Sequence, residues 1–550
     1  MLDTQTAVLA LLVAFAIALV ARILAPRSSP PTPPTYGPRW LPPFVRGALA
    51  AYRLGKDEDQ FLLGLRRDYR TAVWLPWPLS QTIVLESEAI RRVYQAPEKT
   101  LSFLPIRREM QGSAFGASPS LWQNKALMHG QVFPVHARGM SKTNLTAPLQ
   151  RFVAVVRSRI DDLAARVDTA PSGSVTIKPA EWIVETYFEA SLAGMFGSNV
   201  RDAKGISRDE LWTAFCQFDK AFPIMAGGVV PSWLLNHVPD VVVGKRAQDL
   251  LASMFEAWIQ DGLEGLDEGV VRDMAEIPLQ SNLGANEAGK LIIADFWALQ
   301  ANAPYIGVQL LVFLLQAPES LRDDLLAEID ASLALAGALS DGNEPLTFPH
   351  LASTLPLLGS AITETLRLGT STFSIRNVEQ PFVLPTTAGE KHDAVVIPAN
   401  TRLICATRLH HLSEDVWGGN GTAASAWDGR RFADGGEAKG EERGWRSRRA
   451  RHVYGFGGGI SRCEGQHFAT AELKAFTSLF LSTFELELVS PVNKPTFGEL
   501  YEPIELAGVD KPGFRPRRIP GRVGMGAYQF TDAANADLEL TVRRRRRSQA

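Results

Sequence analysis

From Ala294 to Leu315 the chain reads ADFWALQANAPYIGVQLLVFLL, a helical run that is apolar on almost every side. A helix without a polar face cannot lie against solvent, so this one must sit in a core that covers it all round. A chain of 550 residues, 45% hydrophobic and 21% charged, is long enough to supply that cover. Gln300 and Asn302 are the polar exceptions in the run, and Pro304 removes a backbone donor and should distort the turn before it. A buried amide beside a distorted turn has two uses. It can hold a ligand or an ordered water, or it can cap the carbonyls that the proline sets free.

Other helical patterns occupy Leu149 to Val167, Ala180 to Phe196 and Ala288 to Gln316, whereas strand-like pieces such as Ala394 to Ile397 are short. No fixed-period repeat or clean linker divides residues 44–530, which read as one large domain, mainly α with small β-sheets (α+β). The formal net charge of −2 leaves no global basic field, so nucleic acid is not an expected partner. Cys216, Cys405 and Cys463 build no disulfide framework and suit a reducing compartment.

The two ends carry their own signals. Ala7 to Ala21 is an unbroken apolar run, extended to Ala25 across Arg22. As a helix, Ala7 to Ala25 would span roughly 28 Å, close to one hydrocarbon core. Asp3 is the only charge before the run, and Arg22, Arg27, Arg39 and Arg46 follow it. Those flanks favour a membrane anchor over residues 1–25, rather than a cleaved signal peptide, with the body of the chain in the cytosol. The prolines of residues 26–43 read as a semi-rigid hinge. On that topology the triplets beginning at Asn144 and Asn420 are chance matches to a glycosylation signal. The tail, residues 531–550, holds the basic run Arg543 to Arg547, which reads as disordered or drawn to anionic lipid.

The sharpest chemical signal is Phe456 to Gly465, FGGGISRCEG. Gly457, Gly458 and Gly459 allow close backbone approach, and the helical pattern from Gly465 to Phe480 places Cys463 at the mouth of an amphipathic helix. Loop amides and a helix N-terminus favour a thiolate, the form of cysteine that binds iron. Taken alone, Cys463 reads equally as a simple buried cysteine.

The segment resembles the haem-binding loop of the cytochrome P450s, F-x-x-G-x-R-x-C-x-G. Phe456, Gly459, Cys463 and Gly465 fit the pattern, with Ser461 where arginine is usual and the arginine displaced to Arg462. Glu364 and Arg367, three apart on one helical face, resemble that family's E-x-x-R pair, and Trp427 to Phe432 (WDGRRF) resembles the segment supplying its third member, Arg431. The resemblance implies a structural network of Glu364, Arg367 and Arg431 beneath the haem loop. It also implies that Arg376 grips a haem propionate, although a loop arginine is the plainer reading. Trp122 resembles the tryptophan of the family's W-x-x-x-R helix, but position 126 is alanine, and Lys125 or His129 are the possible substitutes.

Across the haem, the Ala294–Leu315 run takes the place of the family's distal helix, with Ala301 and Asn302 where an acid and an alcohol usually relay protons. An amide can donate a hydrogen bond or hold a water, but it does not exchange protons as a carboxylic acid does. The stretches WALQANAPYIG, Phe215 to Pro231 and Val523 to Gln529 are similar to the branch holding the bile-acid sterol hydroxylases and prostacyclin synthase. What this implies is a haem b cofactor on Cys463 and monooxygenation of a lipophilic substrate such as a sterol, terpenoid or other secondary metabolite. Electrons would come from NADPH through a flavoprotein reductase at the endoplasmic reticulum. The alternative is an isomerase or dehydratase that acts on a peroxide without reductase or dioxygen. A cluster at Arg446, Arg448, Arg449 and Arg451 is either a reductase-docking face or a solvated loop.

Overall fold

The computed structural model describes residues 32–197, 207–226, 235–263, 266, 268–337, 346–384, 394–418, 422–433, 449–517, 525–527 and 537–546. The expected N-terminal span, Asn420, Arg446, Arg448 and Arg547 lie outside these residues. The described part is mainly helical with small sheets, as the periodicities predict.

The apolar run is not one helix. It divides into Ala285–Gln300 and Ala303–Gln316. Pro304 has no N–H for the Gln300 carbonyl, so the ladder fails there. The last bond before the break is Ala301 N to Trp297 O (3.0 Å), and the next is Ile306 N to Asn302 O (3.2 Å). Asn302 sits between them, outside the helical region, at φ −132° and ψ −58°. The stretch is long and apolar enough to cross a membrane, but 72% of its most apolar window is buried inside the fold, which makes it a core element.

The cover comes from Pro179–Phe196, Pro356–Gly369 and Gln466–Thr483, all of which pack against Ala303–Gln316, with Thr146–Thr169 behind the first and last of them. Close crossing is possible at Gly307, where a Cβ would meet Tyr187 Oη at 3.2 Å.

The largest sheet runs in the order Ala72–Leu75, Gln81–Val84, Thr401–Ala406, Thr370–Val378, Met525–Ala527, with Leu101–Ser102 also paired to Thr370–Val378. Only Gln81–Val84 with Thr401–Ala406 is parallel; Ile404 faces Ile83 on one side and Ile375 on the other. The far end of the proline-rich hinge is stitched to this sheet, through Tyr36 N to Trp74 O (2.9 Å) and Trp74 N to Pro34 O (2.8 Å).

The C-terminal expectation is corrected. Glu539–Arg544 is the central strand of a sheet with Ser174–Ile177 and Phe484–Val489. Leu538, Leu540 and Val542 alternate into the core, a period-two pattern that the arginine run obscures. The arginines themselves are paired with acids of the body: Arg543 with Glu487 (3.2 Å), Arg544 with Asp168 (3.2 Å) and Arg545 with Asp330 (2.7 Å).

Candidate active site

Glycine dictates the turn that presents Cys463. Gly459 has φ +57°, and a Cβ there would lie 1.9 Å from the Tyr94 carbonyl oxygen; at Gly457 (φ +68°) it would lie 2.8 Å from that of Ser461. No other residue fits such contacts. The Cys463 N–H donates to the Phe456 carbonyl at 2.8 Å and closes the loop. Gly465 then caps Gln466–Thr483, the helix expected behind the cysteine. Burial pushes the Cys463 thiol upward, while the N–H groups of Gly465 and Gln466 pull the other way. Those two donors are what a thiolate uses once a cation offsets its charge. Arg462 is exposed on the outer side of the turn.

Beneath the loop the three expected network residues meet. Arg367 grips Glu364 with two bonds of 2.7 Å, and Arg431 Nε reaches Glu364 Oε1 at 2.9 Å. Glu364 and Arg367 are wholly buried. The remaining donors go to carbonyls, from Arg367 to His411 (2.5 Å) and Ala424 (2.6 Å) and from Arg431 to Trp417 (2.7 Å). The link to the cysteine loop runs through His411, whose Nε2 accepts the Tyr454 N–H at 2.9 Å. Burial, with His410, Arg367 and Arg408 nearby, keeps that imidazole neutral, as an acceptor must be.

Arg376 is fully buried, and its donors go to Ser374 Oγ (2.8 Å), the Gly458 carbonyl (3.3 Å) and Ser461 Oγ. The serine found in place of the usual arginine is thus engaged by Arg376, which braces the loop from within. Burial depresses its pKa, and among the described residues no carboxylate is bonded to it. The structure adds Arg108 to the same charged neighbourhood, beside His129, one of the two expected substitutes. Arg108 Nε and Nη1 and His129 Nε2 are buried without a partner among the described residues. His129 is pushed down by burial, then by Arg108 and Lys125, with Glu98 opposing. Arg108 carried no sequence signal, because no spacing marks a lone arginine in an amphipathic helix, here Leu104–Ser113.

The Cys463 sulfur opens into a cavity of about 990 Å³, floored by Phe456, Gly465, Phe468 and Ala469 and crossed on the far side by Asn302, Ala303 and Ile306. The break in the helix therefore faces the cysteine, as expected of Ala301 and Asn302, although Asn302 rather than Ala301 lines the space. Gln300 points elsewhere, with both amide atoms buried and unpartnered among the described residues. Above, Trp297 stacks on Phe222 (centroids 3.7 Å apart, 19°) and donates from Nε1 to Asp219 Oδ1 at 2.9 Å. The remaining walls are largely apolar, including Phe103, Met110 and Leu366, with Thr370 and Thr372 among the polar exceptions.

The other two cysteines differ in setting: Cys216 is exposed, and Cys405 is buried in the sheet with its thiol pushed up to about 12 by burial. Arg449 is not a free docking cation, since it bonds the Val416 carbonyl and lies 5.5 Å from the centre of the Trp417 ring.

A cysteine with two N–H groups on its sulfur, opening into a largely apolar cavity, with buried cationic donors unpaired among the described residues in the fold beside it, fits an iron porphyrin and its carboxylates. Fold and site are those expected of a haem-thiolate protein. Comparison with known proteins agrees: the family model "Cytochrome P450" matches residues 310–504. Over that stretch the chain is similar to the cytochrome P450 family. It is 27% identical to Cytochrome P450 7A1 of Sus scrofa over 60% of this chain and 63% of that protein. It is 28% identical to Prostacyclin synthase of Bos taurus over 38% and 40%, and 24% identical to Sterol 14-alpha demethylase of Pyrenophora dematioidea over 87% and 85%. The chain thus spans less than two thirds of the length of the pig relative.

Proposed function

We propose that this protein is a haem-dependent monooxygenase that hydroxylates a lipophilic small molecule of the sterol or terpenoid kind, or another secondary metabolite. The observation that carries it is the Cys463 sulfur facing the helix break at Asn302 across one large apolar cavity. Haem b, when bound through Cys463, supplies dioxygen activation, favoured by the electron-rich thiolate. The chain's own residues do the rest. Gly465 and Gln466 N–H groups hold the sulfur, and Arg108, His129 and Arg376 offer positive charge to the porphyrin carboxylates. Asn302 orients a water at the break, and Trp297 and Phe222 give the substrate a flat apolar face. The sterol in the name of the Pyrenophora relative supports that substrate class.

Electrons reach the site from NADPH through a flavoprotein reductase, and residues 1–25 anchor the protein in the endoplasmic reticulum membrane with the catalytic domain in the cytosol. A second reading, isomerisation or dehydration of a peroxide without reductase, draws on the amide at Asn302 and on the prostacyclin synthase match. Turnover of a panel of sterols and terpenoids by purified protein separates the two. Product that requires NADPH, reductase and dioxygen is expected; product from a peroxide without them selects the second reading.

A further inference from the structure

Glu464, the residue after the iron-binding cysteine, belongs to a charged cluster that no sequence motif marks. Arg107 holds it with two parallel bonds, Nη1 to Oε1 at 2.9 Å and Nη2 to Oε2 at 2.8 Å. His136 Nδ1 bonds the same Oε2, and His136 Nε2 lies 2.9 Å from Asp295 Oδ1. The four residues come from four separate segments. Arg107 lies in Leu104–Ser113, His136 in Phe133–Gly139 and Asp295 in Ala285–Gln300, while Glu464 leads into Gln466–Thr483. All are largely shielded, with side-chain exposures of 25%, 15%, 12% and 26% for Arg107, His136, Asp295 and Glu464. Two basic side chains, Arg107 and His136, thus face two acidic ones, Glu464 and Asp295, within ion-pair distance. The members of the cluster are not equivalent with respect to Cys463, because the Glu464 carboxylate is on the adjoining residue. The Arg107 guanidinium also lies over the Phe133 ring, 4.2 Å from its centre.

We propose that Glu464 is a positioning residue that sets how strongly Cys463 donates to iron, and that Arg107 is its counterweight. A shielded negative charge beside the ligand disfavours adding an electron to the iron, and the arginine cancels part of that effect. The inference rests on the haem-thiolate reading above.

The test is spectroelectrochemistry of the purified full-length holoprotein, with the ferrous carbon monoxide spectrum as a check on ligation. Glu464→Gln is expected to raise the iron midpoint potential and Arg107→Gln to lower it. The double variant should return close to the starting value, and Arg107→Lys, which keeps the charge, should stay near it. Shifts of one sign in both single variants, no shift, or an Arg107→Lys value that falls as far as Arg107→Gln would overturn the proposal, since each indicates a merely structural brace. Wild-type protein without a thiolate-type Soret band would instead overturn the haem reading beneath it. Haem loss to an apomyoglobin acceptor gives a second readout where a variant folds poorly: opposite changes in thiolate band position among the molecules that retain haem support the charge effect, and identical positions oppose it.

Discussion

The two sides of the cavity are built to different standards. On the cysteine side the charged network has several partners for each member: Glu364 receives Arg367, Arg431 and the Asp428 N–H, and Arg367 reaches three carbonyls besides. On the opposite side the helix is broken at Ala301 and Asn302, and Gln300 buries both ends of its amide without a partner among the described residues. The contrast separates two tasks. Holding iron demands one fixed sulfur position, so the surroundings over-determine it. The opposite side leaves room for variation at Ala301 and Asn302, whereas the departure in the loop, Ser461, is taken up by a bond from Arg376.

The largest test of that contrast removes the fixed point. Cys463→Ser should abolish the thiolate Soret band and turnover altogether while the fold persists, as read by absorbance and far-ultraviolet circular dichroism. A retained thiolate band would show that another residue holds iron.

Next comes the network beneath the loop. Glu364→Gln leaves Arg367 and Arg431 buried without an anion, a change expected to cost about 3–5 kcal/mol. Denaturant midpoints measure it. A loss under about 1 kcal/mol, the range of an exposed pair, would mean that the network is not shielded as the structure has it. Haem content should fall in parallel, because the network reaches the loop through His411 and Tyr454.

A third test uses Glu472 on the cysteine helix. It is buried, it borders the cavity, and it accepts a hydrogen bond from Ser191 Oγ at 2.6 Å. Burial raises its pKa from 4.5 to about 8, with Ser191 opposing. Between those values the unfolded chain has released a proton that the folded chain keeps, so stability falls as pH rises through the window. The contribution is full below the lower value and gone above the upper one, and amounts to on the order of 5 kcal/mol. Glu472→Gln should flatten this part of the stability curve between pH 5 and pH 8. An unchanged slope would show that the carboxyl ionises freely in the folded protein.

These sites were not equally legible in the sequence. The cysteine loop and the Glu364–Arg367 pair were, because local geometry demands fixed residues at fixed offsets: glycine where a Cβ would strike Tyr94, and an acid and a base one helical turn apart. The proline's distortion was legible too, though the break into two helices needed the backbone itself. Glu464, Arg107, His136 and Asp295 were not. They meet across 357 residues of chain in the longest case, and no periodicity relates members of a cluster drawn from four segments. The final strand was hidden for a different reason, since five successive arginines outweigh three alternating apolar residues in any compositional reading.

The smallest expected effect lies at the break, and it bears most directly on what the looser side is for. Asn302 lines the cavity, and its amide is a donor and an acceptor without an acid–base role at neutral pH. If it orients a water that delivers protons, Asn302→Ala should leave substrate affinity and the thiolate spectrum unchanged while lowering product formed per NADPH consumed by roughly 3–10-fold, below the range of a true general acid. The electrons lost from product should appear as hydrogen peroxide. Asn302→Asp should recover part of the coupling and give it a pH dependence that the amide lacks. A fall in affinity with coupling intact would assign Asn302 to substrate binding instead. Unchanged coupling and affinity would leave the side chain as a cap for the carbonyls next to Pro304, and the water would then be held by backbone groups at the break.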